Sequence, residues 1–218
     1  MARESCAGAA GEAGFRRPVP PPVLVVERTT LSLADIPFPR PSSLLQPHLQ
    51  VTRYHAAGRI RVGDEDRFMR LAIEEARKGI AAGQTPFGAC LVRGGGVVAV
   101  AHNRVWADTD ITAHAEVVAI RRACRELNTI ELSGCVIYST TEPCPMCFSA
   151  CHWARVDRIV YGAAIADARA AGFNELAVCD ADLKRLGGSR VEITAGFLRD
   201  ECVELFRQWQ SNPARRAY

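Results

Sequence analysis

CVIYSTTEPCPMCFSACHWARVDRIVYGA, residues 135–163, reads as strand, helix and strand in turn. CVIYST (135–140) follows Gly134 and is a short apolar run, the pattern of a buried strand. Pro143 stands just ahead of a helix expected from about Cys144 to Ala154. RIVYG (158–162) is a second strand-like run. Two strands joined through a helix return in parallel, so this stretch commits the chain to helices packed on a sheet.

The flanks extend the alternation. Asp64 is expected to cap a helix whose spacing runs through Phe68, Leu71, Ala72, Glu75 and Ala76, with Gly79 and Gly83 closing it. FGACLVR (87–93) and VVAVAH (97–102) are strands joined by a hairpin turn at GGG, 94–96. Residues 113–127 read as a helix starting near Thr112, with Val117, Ile120, Ala123, Cys124 and Leu127 on its apolar face. A helical segment covers 166–171, the mixed stretch 173–188 reads as loop, and VEIT (191–194) is a late strand. Residues 197–209 form a last helix, burying Phe197, Cys202, Leu205 and Phe206. The expected fold is α/β: a three-layer α/β/α sandwich on a mixed five-stranded sheet.

Eight of the twelve prolines lie in residues 1–60, and proline at that density breaks helices and central strands. The chain therefore divides into a Pro-rich N-terminal extension (1–60), a domain (61–210) and a C-terminal tail (211–218). VLVVE (23–27) is a candidate short strand in the extension. Lys+Arg is 27 against 24 Asp+Glu, and the whole excess of +3 belongs to residues 1–60. The domain is neutral, which argues against nucleic acid as its partner. No apolar run is long enough for an ordinary membrane span. The nine cysteines are an odd number and no secretory signal is evident, so reduced thiols in the cytoplasm are expected.

Three of those cysteines, Cys144, Cys147 and Cys151, fall within eight residues. Upstream, AHAE (113–116) carries a histidine with an acid two residues on. Imidazole and two thiolates, from His114, Cys144 and Cys147, make a zinc ligand set with a fourth position free for water. Cys144 and Cys147 are three apart at a helix start, so they face the same way and the helix end favours their thiolates. Zinc there would yield hydroxide near neutral pH, and Glu116 is the candidate proton shuttle. Two other readings compete. A Cys-x-x-Cys pair alone would be a redox or structural site, with no use for Glu116. A structural zinc would close its shell with Cys151 or His152.

TAHAEVVAIRRAC (112–124) and TTEPCPMCFSACHWARVDRIVYGA (140–163) resemble the cytidine/deoxycytidylate deaminase superfamily, and the likeness extends from about Asp64 to Gln210. It implies a cytidine-deaminase-like fold, a zinc ion, hydrolytic deamination of an amidine-like ring carbon with loss of ammonia, and assembly as a homodimer. PFGAC (86–90), CPMCF…HWAR (144–155) and AGFNE (171–175) are similar to the guanine and guanosine deaminases within it. By that resemblance Phe87, Asn103, Ala113, Trp153 and Phe173 contact the substrate. Glu175 is a second catalytic acid, although Asn174 stands where those enzymes often carry Asp. The loop 163–189 or the tail, with Tyr218, would shut the pocket, from the same or a neighbouring subunit. The expected reaction is guanine to xanthine, or the same step on guanosine. RVEITAGFLRDEC (190–202) is similar to tRNA adenosine deaminases, which keeps tRNA adenosine open as an alternative, along with cytosine or another small aminated heterocycle. A catalytically silent, zinc-stabilised scaffold is a further alternative, disfavoured by an intact Glu116.

Overall fold

The computed structural model of the chain describes residues 64–218. The Pro-rich stretch 1–60, with its candidate strand 23–27, lies outside the described residues. The first helix, α1 (Asp64–Ala81), begins at Asp64 itself and continues through Gly79. Its buried stripe is Phe68, Met69, Ala72, Ile73 and Ala76, rotated slightly from the expected face. Leu71 is only half-buried, and Glu75 lies at the margin, paired with Lys78 and His102. Each large apolar side chain fully buried this way contributes about 1.5–3 kcal/mol.

Strands β1 (Gly88–Arg93) and β2 (Gly96–His102) form the expected antiparallel hairpin. Arg93 pairs with Gly96 across a two-residue turn whose Gly94 and Gly95 both have positive φ, as the tight hairpin turn requires. Gly88 serves a different need. A Cβ there would lie 2.1 Å from the Ala72 carbonyl oxygen, so only glycine lets α1 sit this close to the sheet. Strand β3 (Cys135–Thr141) is buried along its whole length, antiparallel to β1 and parallel to β4 (Arg158–Ala163). Strand β5 (Glu192–Thr194) adds in parallel, giving the sheet order β2-β1-β3-β4-β5.

The helices lie on the sheet as the expected α/β layers. Helix α1 packs on β1, β2 and β3 and also meets α7 (Arg199–Gln210), which lies on β4. A second group pairs α3 (Ala115–Leu127) with α4 (Pro145–Trp153). A Cβ on Gly162 would fall 2.2 Å from Cys202 Sγ, so the α7 contact with β4 also depends on a missing side chain. The short α5 (Ile165–Ala170) matches the expected helical segment. Two helices were not expected. α2 (Val105–Asp108) is a single turn, and α6 (Asp180–Gly187) occupies half of the stretch read as loop. α6 is polar outside and caps with αL Gly188, a pattern masked by the irregular residues before it. α3 starts at Ala115 rather than near Thr112, and Phe197 precedes α7. No helix among the described residues is long and apolar enough to cross a membrane.

Candidate active site

Two helix starts meet at one point. His114 is the N-cap of α3 and Cys144 the N-cap of α4, both with extended backbone, and Pro145 occupies the first position of α4. Proline suits that position because its missing N–H has no helical acceptor to lose. Cys147 lies one turn into α4 and is buried. His114 Nδ1 is 3.6 Å from Cys144 Sγ and 3.5 Å from Cys147 Sγ, and the three ligand atoms lie within 4.8 Å of one another. Tetrahedral zinc with legs of about 2.3 Å to sulfur and about 2.0 Å to nitrogen gives N···S edges of about 3.5 Å. The donor set therefore fits zinc in both chemistry and spacing. Cys151, one turn beyond Cys147, is buried but is not one of the converging atoms, and His152 Nδ1 is bonded to Ser189 Oγ at 2.9 Å. Among the described residues the shell has three protein ligands.

The two thiols are driven apart: the neighbouring Cys144 and burial push the Cys147 thiol up. Cys144 is pulled down to about 4, first by its close contact with the Cys147 thiol, with burial opposing and His114 helping. Glu116, at the second position of α3, is buried beside them. Its Oε1 accepts a hydrogen bond from Ser139 Oγ at 2.7 Å, and its Oε2 accepts one from Cys147 Sγ at 3.4 Å. Burial pushes its carboxyl above the ordinary carboxylate range, against the pull of His114. Ser139 lies on central strand β3 and escaped the sequence reading, because a serine in a strand carries no signal until its facing acid is known.

An open cavity of about 300 Å³ lies over the triad, lined by Ile111, His114, Cys144, Pro145, Met146, Asn174, Glu175, Leu176 and Tyr218. Glu175 reaches it from the loop after α5, and burial raises its carboxyl pKa too, with the Cys144 charge adding to the effect. Asn103 is fully buried. Its Oδ1 accepts the Val105 N–H at 3.1 Å, so its Nδ2 faces the other way and donates to the Tyr218 hydroxyl at 2.6 Å. The Tyr218 ring lies 5.5 Å from the His114 ring, centroid to centroid. The tail is held there by Trp106, whose Nε1 donates to the Arg216 carbonyl at 3.1 Å and whose face carries the Arg216 guanidinium at 4.4 Å. Trp106 also escaped the sequence reading, since its partners lie over a hundred residues away.

The remaining expected residues divide. Phe87 and Phe173 are buried edge to face, 4.8 Å apart, in an aromatic cluster with Phe206 and Trp209. Phe173 also meets the Tyr218 ring at 6.1 Å. Ala113 is buried, and its carbonyl accepts the Arg104 N–H. Trp153 is not brought to this chain's cavity: it stands at the far end of α4 and is 81% exposed. A helix that presents Cys144 at its start cannot present its ninth residue to the same point.

A family model described as the cytidine and deoxycytidylate deaminase zinc-binding region matches residues 63–163. The guanine deaminase of Bacillus subtilis (strain 168) is 35% identical over 159 residues, which cover 71% of this chain and 99% of that protein. The tRNA-specific adenosine deaminase of the same strain is 36% identical over 143 residues, covering 63% of this chain and 83% of that one. A solved structure of NE0047 in complex with 2,6-diaminopurine superposes with a TM-score of 0.65 at 31% identity, covering 71% of this chain and 85% of its own. With the His114, Cys144 and Cys147 cluster in place, the chain belongs to the cytidine and deoxycytidylate deaminase family, as a zinc-binding aminohydrolase that deaminates a nucleobase or a tRNA adenosine.

Proposed function

We propose that the protein hydrolyses the ring amine of a free purine, guanine to xanthine or the same step on guanosine, with Glu116 as proton shuttle. The observation that carries the choice of a small substrate is the cavity lining: among the described residues it includes no lysine or arginine. Gripping tRNA requires cations for its phosphates, and this rim offers Ile111, Pro145, Met146 and Leu176 instead. An apolar rim around a few polar groups suits a flat heterocycle. The guanine deaminase relative supports the same reading.

His114, Cys144 and Cys147 would hold zinc, which supplies Lewis acidity and makes water acidic enough to ionise near neutral pH. Glu116 takes a proton on the oxygen facing the thiolates, while Ser139 fixes the other oxygen. Burial raises the proton affinity of this carboxyl, so it can take a proton and return it to the departing amine. The sum is water plus the aminopurine giving the oxo-purine and ammonia. Asn103 offers its Nδ2 donor to an acceptor on the purine edge, the place now taken by Tyr218. Glu175 places a second carboxyl at the cavity wall, and Phe173 and Ala113 support the base.

A homodimer in the cytoplasm completes the proposal. Trp153, 81% exposed at the end of α4, is an apolar contact that suits a second copy. The eight described cysteines are all free, which suits a reducing compartment. Ammonia release from guanine, guanosine, cytosine and a tRNA anticodon stem-loop by the zinc-loaded chain tests the substrate. Release from the stem-loop alone would replace this reading with tRNA adenosine deamination.

A further inference from the structure

Glu142 follows the end of β3 and precedes Cys144 by two residues. It is buried and does not line the cavity. Its Oε2 accepts the backbone N–H of Ile165 at 3.0 Å, and its Oε1 accepts that of Asp180 at 2.9 Å. Ile165 is the first residue of α5 and Asp180 the first of α6. First-turn N–H groups have no acceptor within their own helix, so an outside acceptor must satisfy them when they are buried. One carboxylate does this for both helices. The Glu142 N–H is in turn bonded to the Ala163 carbonyl at 2.7 Å, at the end of β4.

The two helices are the two ends of one loop. α5 runs into residues 171–179 and α6 leads out of them, and this loop carries Phe173, Asn174, Glu175 and Leu176. Both ends are thus fastened to a side chain two residues from a zinc thiolate. We propose that Glu142 is a positioning residue that sets the loop 171–179, and with it Glu175, over the metal centre. A carboxylate suits the task because it accepts two bonds without offering a donor. Glutamine keeps the shape but turns an N–H₂ toward one of the two N–H groups. Aspartate is shorter by a methylene and cannot span both.

The effect on catalysis rests on the proposed role of Glu175, so the test has an arm that needs no turnover. In Glu142→Gln, hydrogen exchange is expected to quicken across residues 165–181 while zinc content stays full. The visible absorption of the cobalt-substituted protein is expected to stay unchanged, since the three metal ligands keep their places. With guanine or guanosine, KM is expected to rise about tenfold or more with a smaller change in kcat. Asp180→Pro removes one of the two N–H groups from the other side, at a helix position that tolerates proline and after an extended Cys179. It should reproduce the faster exchange, which keeps the test open if Glu142→Gln folds poorly. Unchanged exchange in both variants would overturn the inference. So would a shifted cobalt spectrum with unchanged KM, which would confine Glu142 to the metal turn. Faster exchange with no turnover of any purine by the unmodified chain would support the clamp and overturn the purine reading instead.

Discussion

The Asn103 amide donates to the Tyr218 hydroxyl across 115 residues of sequence, at 2.6 Å, directly over the metal-binding histidine. Asn103 Oδ1 accepts the Val105 N–H, so Nδ2 is the part of the amide that faces Tyr218. Tyr218 also lines the cavity beside His114, so a purine seated there competes with the phenol for the same space. Substrate binding must therefore move Tyr218 and disturb Arg216 on Trp106. An unreactive purine analogue is expected to change the tryptophan fluorescence of the zinc-loaded chain, and Trp106→Phe to remove most of that change. An equal change in Trp106→Phe would show that the tail stays in place.

Glu116→Gln keeps the size of the side chain and removes its basicity. Metal content should remain full while kcat falls about a thousandfold, within the usual worth of a positioned acid–base group. Metal analysis beside an ammonia assay checks both halves, and near-normal turnover would remove Glu116 from the mechanism. Glu175→Gln should lower turnover less severely and also leave the metal bound.

Ser139→Ala deletes the hydrogen bond to Glu116 Oε1 without touching a ligand or the substrate. A buried bond to a carboxylate contributes about 1.5–3 kcal/mol, so kcat should drop roughly tenfold or more. Ser139→Thr, which restores a hydroxyl, should recover part of the loss. Steady-state kinetics on the three proteins decides this.

Asp180 gives a prediction about stability. Its side chain is buried, and among the described residues neither carboxyl oxygen has a hydrogen-bond partner. Burial, with the charge on Glu142 and then Glu116 adding to it, raises its pKa to about 8 from an ordinary 3.8. A carboxyl that holds its proton more tightly when folded stabilises most below its unfolded pKa. That contribution is lost as pH rises toward the folded value. Asn does not titrate, so the stability of Asp180→Asn relative to the unmodified chain should grow between pH 5 and pH 9. A growth of about 1 kcal/mol would widen the difference in Tm by roughly 2–4 °C. Melting curves at the two pH values measure it, and a constant difference would show that Asp180 is solvated.

The features that the sequence revealed are those written locally. A helix starting at His114 and another at Cys144 are each announced by a few neighbouring residues, and so is the Gly94–Gly95 turn. What escaped is written in pairs of distant residues. Ser139 acquires its role only from Glu116 on a facing helix. Trp106 acquires its role from a segment that folds back to Arg216 and Tyr218. The α6 helix was hidden because its first N–H is satisfied by Glu142, 38 residues earlier, rather than by a local cap. Trp153 shows the opposite fault. It lies close to Cys144 in sequence, but one helix length carries it to the open surface.

The central claim is that this zinc site works on a free purine. The most direct measurement is kcat/KM of the zinc-loaded full chain for guanine and guanosine beside a tRNA anticodon stem-loop with adenosine at the wobble position. Production of xanthine or xanthosine with an equal yield of ammonia, and an untouched stem-loop, is the predicted result. Inosine in the stem-loop with neither purine consumed would contradict it.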